Sequence, residues 1–357
     1  MAFFKFDSPP PFSAELTDKI QKAKACFTPC KLGTLSLASR LVLAPMAGYT
    51  SVGWRRLMAD LGAALTTSEL ISANAIHYRN AKTMQMITLC GPDDGIQIFG
   101  HDPTLLAAAA QEASQQGAAF IELNLGCPVR KVAAQQAGAM LMADPGLVKE
   151  ILAAIKTATD KPVSIKLRTG IDQEHRNALQ IIALAAEAKL AWATLHGRTK
   201  AQAYQGKADW DFIEACAAEA KLPLIGNGDL ATPAQIAQRL KDSRCAALMI
   251  GRAALVRPFL FLEGPWLAQH PTGPLAFNGL DYAQIWRRLG FYVAIEQDGQ
   301  AVRQEILLRK YLMELAAGFP GAASLRQRLG ATPHTAEEVL HLGETYFTQL
   351  NTLCRRD

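Results

Sequence analysis

The chain has 357 residues, half of them hydrophobic and 19% charged, with a formal net charge of +5 and a pI near 8.8. That is the make-up of a water-soluble globular protein of one large or two smaller domains, and the mild basic excess is compatible with a polyanionic partner without demanding one. The seven cysteines (26, 30, 90, 127, 216, 245 and 354) are odd in number and scattered, which argues against a disulfide framework and suits a reducing cytoplasm.

The N-terminal forty residues contain prolines and acidic residues and no apolar core of signal-peptide length, and no later stretch reaches the roughly 18 apolar residues of a membrane span. Cys26 and Cys30 are followed by no second Cys or His pair at ligand spacing, so no metal site is expected. A cytoplasmic protein with no membrane partner is the reading.

From Leu41 onward a rhythm repeats: a short apolar run, a polar or glycine-rich loop, then an alanine-rich amphipathic stretch. The runs are LVLAPMAG, ALTTSEL, GIQIFG, FIELNLG, PVSIKLRTG, ATLHGRT, PLIGNGD and AALMIGR. Several intervening stretches open with Asp-Pro or Thr-Pro, a helix cap followed by proline at the first helical position. Strands alternating with helices predict a parallel sheet, and eight such units in about 215 residues predict a (β/α)8 TIM barrel over residues 41–265. An open doubly wound sheet is the alternative; the first strand is not followed by Gly-x-Gly-x-x-Gly, which counts against it.

Beyond Pro258 the rhythm stops. A connector rich in Pro and Gly leads into residues 280–357, whose pattern is wholly helical. This second, smaller domain has as many acidic as basic residues, but the basic ones cluster as Arg287 with Arg288, Arg309 with Lys310, and Arg326 with Arg328. Taken alone, each cluster reads as a solvated helix face.

In a TIM barrel the chemistry gathers at the C-terminal strand ends. Those ends carry Pro45, Met46 and Ala47; Gln97; Asn124 with Cys127; Lys166 with Arg168; His196 with Arg198; Asn227, Gly228 and Asp229; and Gly251 with Arg252. Singly, each is more often a structural residue, but together they bring polar groups from six strands to one mouth. The loops after the seventh and eighth strands, GNGD and MIGRAAL, sit where barrels commonly hold a phosphate on glycine N–H groups, with Arg252 available as a charge partner. A phosphate site with a lysine and an amide deeper in the mouth suits flavin mononucleotide (FMN).

The motifs LAPMAGYT, QIFG, ELNLGCPVRKV, GAMLM, SIKLRTG, LHGRT, IGNGD and MIGRAAL, in this order, resemble the tRNA-dihydrouridine synthases, and the C-terminal LRKYL…GFPGAASLRQRLG resembles the helical RNA-binding domain of the bacterial B-type branch. The resemblance implies reduction of the C5=C6 bond of particular tRNA uridines, using FMN with NADPH or NADH as electron donor. It implies FMN contacts at Pro45, Met46, Ala47, Gln97, Lys166, His196, Asn227, Gly228, Asp229, Gly251 and Arg252. It implies a proton donor at Cys127, and substrate or nearby contacts at Asn124, Lys131, Arg168 and Arg198. Arg287, Arg288, Arg326 and Arg328 are the expected tRNA contacts of the helical domain. Leu125 and Arg130 stand where relatives often have Met and Lys, changes that keep the chemical type.

The Gly-Cys-Pro turn makes sense on this reading. Adding a hydride to one face of a uracil requires a proton from the other, and an ordinary thiol is mostly protonated at neutral pH. Pro128 restricts the loop that aims it. The uridine must be turned out of folded RNA to reach such a pocket. The rivals are a flavoenzyme of a free pyrimidine, as dihydroorotate dehydrogenases are, a non-catalytic RNA-binding protein, and the same chemistry on ribosomal RNA. The basic helical tail counts against the first and the intact cysteine and flavin set against the second. A monomer is expected, and the B-type likeness points to a uridine of the D-loop.

Overall fold

A computed structural model describes residues 8–297, 299–331 and 334–350. The segment before the barrel forms helix α1 (Ala14–Lys24) and a hairpin of β1 (Cys30–Leu32) and β2 (Leu35–Leu37). The barrel follows: β3 (Leu41–Leu43), α2 (Val52–Asp60), the short strands β4 (Thr66–Thr67) and β5 (Ile71–Ser72), α3 (Ala73–His77), α4 (Ala81–Met86), β6 (Asp94–Phe99), α5 (Pro103–Gln115) and β7 (Ile121–Leu125). It continues with α6 (Arg130–Ala133), a 3-10 turn over Gly138–Ala143, α7 (Pro145–Ala158), β8 (Val163–Arg168), α8 (Ala178–Glu187), β9 (Trp192–His196), α9 (Trp210–Glu219), β10 (Leu224–Asn227), α10 (Pro233–Asp242), β11 (Ala247–Ile250), α11 (Arg252–Val256) and α12 (Leu260–Gln269). The helical part is α13 (Gly279–Glu296), α14 (Ala301–Leu315), α15 (Ala322–Ala331) and α16 (Ala336–Leu350).

The barrel strands run parallel in the order β3-β11-β10-β9-β8-β7-β6-β4, with β5 also pairing β6. Backbone hydrogen bonds Leu43 N–H to Leu65 C=O and Ala64 N–H to Leu41 C=O, both 2.9 Å, close the ring between its first and second staves. Closure leaves no barrel edge, so the strands are buried on both sides and read as continuous apolar runs. The Asp-Pro and Thr-Pro signals fall at helix starts: Asp102, Asp144 and Thr232 each accept backbone N–H groups of the following first turn.

The hairpin plugs the N-terminal end of the barrel. Leu32 and Leu37 pack with Val42, Phe120, Trp192, Ile225 and Met249 in one cluster. Gly33, at φ +59°, makes the turn, and a Cβ there would lie 2.7 Å from that of Ala191. The other large cluster runs without a break from the barrel helices into α13, α14, α15 and α16, so the helical part is welded to the barrel by a shared core. The first seven and last seven residues of the segments expected at 1–40 and 280–357 lie outside the described residues. Among the described residues no helix is long and apolar enough to cross a membrane, and no group of three His, Cys, Asp or Glu side chains is placed to hold a metal ion.

Candidate active site

Alternation along β7 places Glu122 and Asn124 on the same face. From it runs a chain of side-chain hydrogen bonds. The Gln97 amide donates from Nε2 to Glu122 Oε2 (2.6 Å), and its Oε1 accepts from Asn124 Nδ2 (2.8 Å). Asn124 Oδ1 in turn accepts the backbone N–H groups of Cys127 (2.8 Å) and Gly126 (3.1 Å). The loop is fastened twice more, by Arg168 Nε donating to Gly126 C=O (2.8 Å) and by Ala139 N–H donating to Cys127 C=O (3.1 Å). Gly138, at φ +64°, permits the second contact, since a Cβ there would stand 2.9 Å from the Cys127 carbonyl oxygen. The Cys127 side chain is partly exposed and accepts or donates no hydrogen bond among the described residues. The backbone that carries the thiol is thus held from four sides.

Lys166, on β8 beside Asn124, donates from Nζ to Asn227 Oδ1 at 3.4 Å, and no carboxylate lies within ion-pair distance among the described residues. Burial pulls its ammonium down to about 8, and Glu122 opposes this. The Glu122 carboxyl is pushed up to about 7 by burial, against the pull of Lys166 and the Gln97 hydrogen bond. His196 is driven down to about 2 by burial and by the cations Lys166, Arg168, Arg198 and Arg252, so it is a neutral imidazole at working pH.

Asn227 Nδ2 donates to Met249 C=O (2.8 Å) and Gly228, at φ +137°, approaches Ala208 so closely that a Cβ would lie 2.5 Å from its methyl. Asp229 meets Arg198 through both oxygens, at 2.8 and 2.9 Å. Burial would raise the Asp229 carboxyl, but the hydrogen bonds from Arg198 and from Ala208 N–H hold it below the usual range. Gly251 opens α11, where a Cβ would meet only Ala44 at 3.6 Å, and the exposed Arg252 has no carboxylate partner among the described residues. Pro45, Met46 and Ala47 lie in the loop after β3, where Met46 N–H donates to Thr50 Oγ1 at 3.0 Å.

These side chains converge on the C-terminal mouth, but not all are free for a ligand. Arg168 donates to three carbonyls, those of Gly126, Thr199 and Ala203, and Arg198 is tied to Asp229, Gln205 and Gly206. Both are buried, and these bonds hold the loops that frame the mouth. Lys131 is exposed and forms no ion pair among the described residues. In the helical part, Arg288 is removed from any outer face: it reaches Asp60 (3.0 Å) and the Pro10 carbonyl (2.8 Å) and stacks over the Phe12 ring. Arg287 pairs with Glu344 at 2.6 Å. Of the two residues expected as RNA contacts, Arg288 thus has its charge engaged at the junction with the barrel and the N-terminal segment. Arg326 and Arg328 are exposed on α15.

Two residues of the mouth escaped the sequence reading. Glu122 was visible as an acid within an apolar strand, sharing the face of Asn124. Tyr204, 55% exposed in the loop after β9, has the guanidinium carbons of Arg252 and Arg168 4.5 and 5.6 Å from its ring centroid. Its only sequence signal was an aromatic in a polar loop.

The donor set decides what the mouth fits. Lys166, Arg168, Arg198 and Arg252 surround a neutral imidazole with Asp229 and Glu122 as the acids present, and Arg252 and Lys166 lack a carboxylate partner. Such a set is completed by a bound anion with several acceptors, and the open Gly251 leaves room for one at the eighth strand.

The family model described as dihydrouridine synthase (Dus) matches residues 42–351. Among curated proteins, "tRNA-dihydrouridine synthase B" of Salmonella typhimurium is 40% identical over 323 residues, covering 89% of this chain and 98% of the relative. The Vibrio cholerae protein of that name is 34% identical over 319 residues, with 89% and 98% covered, and that of Shewanella oneidensis 41% identical over 235 residues, with 65% and 73% covered. Among solved structures, a 2-naphthoyl-CoA reductase complex matches at TM-score 0.56 and 12% identity, covering 92% of this chain and 70% of that one. A histamine dehydrogenase from Rhizobium matches at TM-score 0.54 and 12% identity, covering 93% and 65%. These structures share the fold alone. The match across the barrel and the helical part, with relatives alike over nearly their whole length, shows that this chain belongs to the dihydrouridine synthase family.

Proposed function

We propose that the protein reduces the C5=C6 bond of uridines in tRNA to dihydrouridine, with FMN as cofactor and NADPH or NADH as electron source. The observation that carries this is the Cys127 loop: a thiol without a partner, fixed at four backbone points, at a cationic barrel mouth in a chain of this family. FMN, when bound, supplies the hydride for C6 of the uracil.

The chain's own residues do the rest. Cys127 gives its Sγ proton to C5, and the Asn124 hydrogen bonds to its backbone keep that proton aimed. Gln97 and Lys166 would bind the flavin ring, and Lys166 is suited to the negative charge that reduction builds there. Gly228, Gly251 and Arg252 would take the phosphate, with His196 as a neutral hydrogen-bonding group beside it. Arg168 and Arg198 hold the loops that frame the pocket. Tyr204, backed by two guanidinium groups, offers a flat face to an unstacked base. Arg326 and Arg328 would meet the RNA backbone.

The test is reconstitution. Purified protein with FMN, NADPH and unmodified tRNA should yield dihydrouridine detectable by nucleoside mass spectrometry, while free uridine and orotate should not turn over. Turnover of a free pyrimidine with inert tRNA would overturn the reading.

A further inference from the structure

The loop carrying Pro45, Met46 and Ala47 is fastened by the helical part of the chain. Tyr311 of α14 is fully buried, and its hydroxyl donates to the Tyr49 carbonyl (2.6 Å) and lies 3.0 Å from the Ser51 hydroxyl. Its ring stacks on Trp54 of α2 with centroids 4.8 Å apart. One residue earlier, Lys310 Nζ sits 3.8 Å from the centroid of the Tyr49 ring, and the Tyr49 hydroxyl donates to Glu314 at 3.1 Å. Glu296, ending α13, accepts the Gly53 N–H at 2.7 Å.

Inside the loop these anchors reach the cofactor-side residues directly. The Tyr49 and Thr50 N–H groups return to the Met46 carbonyl at 2.9 and 3.0 Å. Gly48, at φ +75°, donates to Glu69 at 2.5 Å, and a Cβ there would stand 3.2 Å from Lys310 Nζ. A displacement of Tyr49 therefore moves Met46.

We propose that Tyr311 and Lys310 are positioning residues for the cofactor loop, so that the helical part of the chain sets flavin affinity as well as meeting RNA. The inference rests on the flavin reading above. A loop with a free underside must be ordered when the flavin binds; one held by α14 is ordered beforehand, and binding loses less free energy to it.

Tyr311→Phe keeps the ring and its stacking on Trp54 and removes one hydroxyl. Titration of flavin-free protein with FMN, followed by quenching of flavin fluorescence, should show Kd raised by about threefold to tenfold, the usual scale for one hydrogen bond. Lys310→Met, which keeps the stem and removes the charge, should act in the same direction and serves if Tyr311→Phe does not fold. Saturating FMN should restore wild-type turnover of tRNA in both, and the flavin-free variants should show the wild-type circular dichroism at the titration temperature, which a general loss of folding would not allow. If wild type binds FMN and both variants bind it equally well, the positioning role is overturned and the flavin reading stands. If wild type does not bind FMN, the flavin reading falls and this proposal with it.

Discussion

Replacing Glu122 by glutamine probes the electrostatics beneath the mouth. Burial pushes this carboxyl from 4.5 up to about 7, against Lys166 and the Gln97 amide. Between those values the folded protein holds a proton that the unfolded chain has released, so stability falls as pH rises through the window. The penalty is absent below about 4.5 and complete above about 7. That displacement corresponds to about 3 kcal/mol. The glutamine side chain has nearly the same shape and still accepts from Gln97 through its carbonyl, but it does not ionise. It also withdraws the charge that supports Lys166, whose ammonium burial already holds down to about 8. A lysine depressed further is uncharged in the folded state while still protonated in the unfolded chain, so its contribution to stability rises with pH. Both effects lift the variant relative to wild type in the same direction. Urea denaturation of flavin-free protein at about pH 5 and about pH 8 should therefore show the difference, variant minus wild type, growing by about 2–3 kcal/mol. Differences that stay constant between the two conditions would refute the reasoning and mean that Glu122 is ionised throughout.

Cys127→Ala should retain fold and flavin content but lose a factor of roughly 10² to 10⁴ in dihydrouridine formation, while NADPH still bleaches the flavin; single-turnover assays with reduced protein measure this. Arg252→Ala should weaken FMN by about tenfold, the scale of a charge-assisted phosphate contact at an exposed site, read by fluorescence titration. Reversing Arg326 and Arg328 to Glu should weaken tRNA binding and flatten its dependence on log salt by about 1–2, leaving FMN affinity unchanged; gel shifts across a salt series test it, and identical slopes would remove α15 from the RNA face.

Much of this molecule was decided by short-range rules. The change from period two to period 3.6, with Asp-Pro and Thr-Pro at helix starts, marks a parallel α/β chain, and alternate residues at the C-terminal end of a barrel strand face the mouth while those between them, such as Leu125 and Leu167, pack into the core around the barrel. That is why Gln97, Asn124, Cys127, Lys166, His196, Asn227 and Arg252 could be read as one site although 155 positions separate the first from the last. Spacing cannot say which polar group is already satisfied. Arg168 and Arg198 looked like ligand contacts because the strand ends present them, but the loops that return beside them offer carbonyls and a carboxylate at hydrogen-bond distance. Arg288 looked like a surface charge because its helix is amphipathic; Asp60 and Pro10, far away in the chain, engage it. Tyr311 lies in the LRKYL stretch that resembles the helical RNA-binding domain, but nothing in that stretch points to the barrel loop; only packing sets its hydroxyl beside the Tyr49 carbonyl. Local pattern fixes which face a side chain takes, whereas the partner that waits there comes from other segments, neighbouring loops for Arg168 and Arg198 and stretches 228 and 262 residues away for Arg288 and Tyr311, and only closure of the barrel and the docking of α13 and α14 against it bring them together.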